Sequence, residues 1–104
     1  MQKYIQNQIH KYTHTQPAGK QECFLHICKE TIEYYNQGMF TKADIVSLME
    51  QFIQFKELLQ DKHTRHIIGI AGMLEMPEEF ATKTHKEIIT ELISQVSYTQ
   101  EKMP

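Results

Sequence analysis

Six histidines and two cysteines are the residues of this 104-residue chain whose spacing invites a chemical reading. His10 and His14 stand four apart, which puts two imidazoles on one face of a helix, while Cys23 with His26 and His63 with His66 are each three apart. Cys23, His26, His63 and His66 together would satisfy a tetrahedral zinc ion if the two ends of a helical hairpin met. Surface histidines in a His-rich chain reach such spacings by chance, so a His/Cys metal site is kept as an alternative and no cofactor is expected. Thiol catalysis needs a thiolate activated by a base. Cys23 and Cys28 sit among Phe24, Leu25 and Ile27, surroundings that hold a thiol protonated. The carboxylate pairs Glu30/Glu33 and Glu78/Glu79 read as a solvated helix face and a dipole-favoured first turn, and no glycine-rich phosphate loop is present. The chain is therefore not expected to be an enzyme.

The elements that would position these residues are helical throughout. Only four Gly and three Pro leave little material for the turns of a β fold. Tyr4, Ile5, Ile9 and Tyr12 mark one face of a first short helix, which the run Gln16-Pro17-Ala18-Gly19 ends. A second helix starts near Lys20 with Phe24, Cys28, Ile32 and Tyr35 on one stripe and stops at Asn36-Gln37-Gly38. Thr41 and Asp44 form a capping box for the next, and Phe40 and Ile45 are placed for a hydrophobic staple. That helix is expected to run to about Lys62 on the seam Ile45-Leu48-Phe52-Phe55-Leu59, widened by Val46, Met49 and Ile53. The hairpin from Cys23 to Leu59 is thus unusually apolar.

The segment 67–76 is apolar nearly all round and reads as a buried helix, with Gly69 and Gly72 offering a smooth strip for close helix approach. Residues 77–100 form either one helix or a turn followed by a longer helix capped at Thr84 and Glu87, with the stripe Ile88, Ile89, Leu92, Ile93 and Val96. The expected architecture is all-α: a single domain over 1–104, built as a small antiparallel bundle of four to five helices and dimeric.

A 40% hydrophobic and 23% charged composition excludes wholesale disorder, and the net charge of −2 gives no general attraction to polyanions. Lys3, Lys11, Lys20 and Lys29 against Glu22 alone make residues 1–29 basic (+3) and leave −5 for the rest. A DNA-binding reading of the hairpin is a second alternative, but its second helix offers few side chains suited to base edges, and the single arginine is Arg65. Tyr4 and Tyr12 among Lys3, Lys11 and His14 are the stretch to test for phosphate contact. No run approaches the ~18 apolar residues of a membrane span, and the first residues lack the apolar core of a signal peptide. With two cysteines unsuited to pairing within one helix, a cytoplasmic location is expected.

What remains is the apolar excess of 45–59 and 67–76, more than a small domain can easily cover. The expectation is a non-enzymatic regulatory protein that binds another protein. Its contact surface is expected at Val46, Met49 and Ile53, with Phe52 and Phe55 as anchors.

Overall fold

The computed structural model describes residues 2–80 and 82–102, with side chains placed up to Val96. Helix α1 spans Gln2–Thr13, α2 Lys20–Asn36, α3 Lys42–Phe52, α4 Lys56–Leu59, α5 Lys62–Gly72 and α6 His85–Lys102. Single 3-10 turns lie at Pro17–Gly19, Met73–Glu75 and Glu78–Phe80, and no strand occurs among the described residues. The protein is all-helical, and its segment 67–76 is helix and 3-10 turn rather than strand.

The local signals explain most boundaries. Gly38 takes a left-handed backbone (φ 81°), and the Met39 amide reaches the Tyr34 carbonyl at 2.9 Å while the Gly38 amide reaches Tyr35 at 3.0 Å. Those two bonds close α2 in a Schellman motif. The box at the start of α3 is complete, with Asp44 N–H donating to Thr41 Oγ1 (3.2 Å) and Thr41 N–H to Asp44 Oδ2 (2.8 Å). Thr84 and Glu87 form the same reciprocal pair before α6. This decides the 77–100 alternative in favour of a turn followed by a longer helix.

One expected helix is broken. The run to Lys62 stops at Phe52, Ile53 and Gln54 turn, and Phe55 is extended (φ −94°, ψ 104°) before the single turn of α4. No Gly or Pro marks this point. The break turns Phe55 back over the core, where its ring meets Tyr12 at 4.7 Å and Phe52 at 6.0 Å. Gln54 Nε2 covers the end of α3 by donating to the Gln51 carbonyl at 2.8 Å. Asp61 then caps α5: its Oδ2 accepts from Thr64 N–H (2.8 Å), Thr64 Oγ1 (2.9 Å) and Gln21 Nε2 (2.8 Å). Tertiary packing has overridden local helix propensity here.

The core draws on every helix. Tyr12, Phe24, Leu25, Ile45, Leu48, Phe52, Leu58, Ile67, Ile88 and Leu92 are its largest closed members. α2 packs against α1, α3 and α6, and α5 against α3, α4 and α6. An aromatic cluster joins the first half of the chain, with Phe52 edge-on to Phe24 at 5.0 Å and to Tyr12 at 5.3 Å. Phe40 packs on Tyr4 at 4.9 Å and on Tyr34 at 5.5 Å. The two buried threonines are bonded: Thr31 Oγ1 donates to the Ile27 carbonyl and meets Tyr4 Oη at 2.8 Å, and Thr64 is held by Asp61. Among the described residues no buried side-chain nitrogen or oxygen lacks a partner, as a well-specified interior requires.

Two expectations about surface are corrected. The apolar excess of 45–59 and 67–76 is mostly absorbed, because the break after Phe52 and the stripe of α6 cover it. Among the described residues the large hydrophobics left exposed are Met39, Ile53, Met76, Phe80 and Ile93. Gly69 and Gly72 face outward, and a Cβ at either would meet nothing within 4 Å. The packed face of α5 is the other one, Thr64, Ile67, Ile70 and Ala71.

Candidate functional site

A trough lies between α3 and α5 and holds three of the five residues expected at a contact surface. Val46 and Met49 on α3 and Ile53 just past its end recur at helical spacing. Ile68 and Gly72, four apart on α5, form the opposite wall, and the trough encloses about 160 Å³. Val46 and Met49 are buried and form the floor, whereas Ile53 keeps 47% of its surface exposed. A Cβ at Gly72 would meet nothing within 4 Å.

Two carboxyl groups close the rim. Glu50 on α3 and Glu75 in the turn after α5 both line the trough. They lie within hydrogen-bonding reach of each other, and that contact raises the Glu75 carboxyl above the ordinary glutamate range. Two carboxylates side by side repel, so one of them favours its proton. Lys42, at the start of α3, donates through its Nζ to His85 Nδ1 at 2.8 Å.

Of the five residues expected to contact a partner, Val46, Met49 and Ile53 are brought together here. Phe52 is not, being closed off within the core at 0% exposure. Phe55 is half-buried against Tyr12. Ile68, Gly72, Glu50 and Glu75 were not anticipated. Glu50 carried a usable signal, since it stands four residues after Val46 on the same helical face. Glu75 carried none.

On the other flank of α3 a broader, shallower cleft of about 750 Å³ runs along α1, lined by Ile5, Ile9, His10, Ser47, Glu50 and Gln51 among others. A third, of about 570 Å³, lies between α1 and α2 and contains Lys11, Thr15, Cys23, His26 and Lys29. The Cys23 thiol there accepts from Thr15 Oγ1 at 3.5 Å. Cys28 is fully buried, and burial pushes its thiol up, away from the reactive thiolate. Both cysteines are free.

The four candidate zinc ligands do not converge: among the described residues no three His, Cys, Asp or Glu side chains stand close enough to hold a metal. His63 Nε2 instead meets the Gln95 carbonyl at 3.2 Å. His10 and His14 do share a face, with ring centroids 4.0 Å apart. The aromatic rings of the basic N-terminal segment are also committed. Tyr12 is wholly buried with its hydroxyl donating to Glu57 (3.1 Å), and Tyr4 Oη is held by Thr31. Tyr12 therefore presents no face on which a base could stack. Among the described residues no helix is long and apolar enough to cross a membrane.

No protein family, curated protein or solved structure matches this chain.

Proposed function

We propose that this chain is a non-enzymatic interaction protein, acting in the cytoplasm, that regulates another protein by binding it through the α3–α5 trough. The observation that carries the reading is Ile53. It is a large aliphatic side chain left half open at the end of an apolar stripe whose other members, Val46 and Met49, already line a formed depression. Burying the remaining half of an isoleucine contributes about 1 kcal/mol, and anchors at the centre of an interface commonly cost 2 kcal/mol or more when removed. The floor is preformed, so little ordering entropy is lost on docking.

The test compares three baits in quantitative capture from cells that make the protein: wild type, Ile53→Asp, and Phe80→Asp as a control on another exposed residue. Partners retained by wild type and by Phe80→Asp should be depleted at least tenfold on Ile53→Asp. Equal retention by Ile53→Asp would contradict the reading.

A two-fold homodimer is a second reading, supported by Phe80, 72% exposed, just before α6, and by Ile93 on α6. Sedimentation across a hundredfold concentration range distinguishes it by a rise in mass. The DNA-binding alternative has no comparable observation in its favour, since Glu50 stands on the open face of α3.

A further inference from the structure

We propose that the occupant of the trough is a cationic amphipathic helix of another protein, seating apolar side chains on Val46, Met49 and Ile53 and a Lys or Arg between Glu50 and Glu75. This rests on the interaction reading above and adds the chemistry of the partner.

Charge complementarity carries it. Among the described residues no Lys, Arg or His lines the trough, while two carboxyls do, and the α3 lysine, Lys42, bonds His85. Glu50 and Glu75 crowd each other enough that Glu75 holds its proton more tightly than an isolated glutamate. A cation placed between them offsets the repulsion of the two carboxyls. An anionic segment or a phosphate backbone would add a third like charge at the same rim. The α3 wall of the trough runs from Val46 to Ile53, about 10 Å along the helix axis. A helix laid along it contacts it over about two turns, in the helix-in-groove mode. Among the described residues there is no strand whose edge could recruit an extended peptide.

The probes are two fluorescein-labelled 14-residue Ala-rich helical peptides with Leu at i, i+4 and i+7, one flanked by lysines and the other by glutamates. They are titrated by anisotropy against wild type, Ile53→Asp, and the double variant Glu50→Gln/Glu75→Gln. All three positions are exposed, so the variants should keep the wild-type circular dichroism spectrum, and the double variant should melt no lower than wild type at neutral pH. The expected result is a lysine peptide bound at least tenfold more tightly than the glutamate peptide. The preference should shrink below threefold in the double variant, and binding should be lost in Ile53→Asp. Equal binding of both peptides, still lost in Ile53→Asp, would overturn the cationic partner and leave the trough reading standing. Binding of neither peptide, or binding indifferent to Ile53→Asp, would overturn both. So would a stable dimer that buries Ile53 against a second copy.

Discussion

Replacing Phe52 by alanine separates a core role from a surface role at the position where the chain leaves α3. Phe52 is fully closed off and touches three aromatic rings, Phe24 at 5.0 Å, Tyr12 at 5.3 Å and Phe55 at 6.0 Å. Removing a buried phenylalanine costs about 3–5 kcal/mol through lost transfer energy and the cavity left behind. The two edge-to-face pairs each add about 0.5–1.5 kcal/mol beyond burial, which pushes the value toward the upper end. A domain of this size has a total stability of about 5–15 kcal/mol, so Phe52→Ala should consume a large share of it. The melting temperature should fall by roughly 15–30 °C. Ile53→Asp, one residue later but half exposed, should change stability by less than about 1 kcal/mol. Urea unfolding followed by circular dichroism measures both on one scale. A Phe52→Ala variant that loses less than about 1 kcal/mol would refute the placement of this ring and the break in the chain that depends on it.

Other perturbations follow from the same contacts. Asp61→Ala removes the cap of α5 and the acceptor of the buried Thr64 hydroxyl; losing both should cost about 2–3 kcal/mol in urea unfolding, and Asp61→Asn should restore part of it. Burial pushes the Tyr4 hydroxyl up to about 12 and Tyr12 further in the same direction, with Glu57 adding to the latter. The folded state therefore keeps protons that the unfolded chain loses near pH 10, so stability should be intact below that pH and fall above it. Tyr12→Phe should flatten this alkaline loss while costing about 1 kcal/mol at neutral pH. Glu75 is raised by Glu50, so its contribution is favourable at acid pH and is lost as pH rises through and above the ordinary glutamate range. Glu75→Gln should abolish that part of the pH dependence in thermal melts.

The elements with local signals were readable from the residues alone. Gly38, the Thr41–Asp44 box and the Thr84–Glu87 box each specify a boundary through a bond made within a few residues, and each is where the pattern put it. The break at Ile53–Phe55 was not readable, because its cause is distant. Phe55 leaves the helix to pack on Tyr12, more than 40 residues away in sequence. Periodicity also could not tell which side of α5 faces inward: two glycines suggest close packing, yet the buried face is Ile67, Ile70 and Ala71. The same limit applies to the site. An apolar stripe on α3 announces that something covers it, and only the fold shows how much is covered by α5. Phe52, the most apolar-looking candidate anchor, turned out to be interior, and the open one is Ile53. Glu75 joins the rim through a turn that no helical pattern describes.

The central claim is that a partner rests on the trough at Ile53. Its most direct test places a photo-reactive amino acid at position 53 and, in separate proteins, at 39 and at 80, all exposed. Irradiation in cells that make the protein should give a crosslinked adduct of one defined mass from position 53 and none from the other two. An adduct at 39 or 80 with none at 53 would contradict the account.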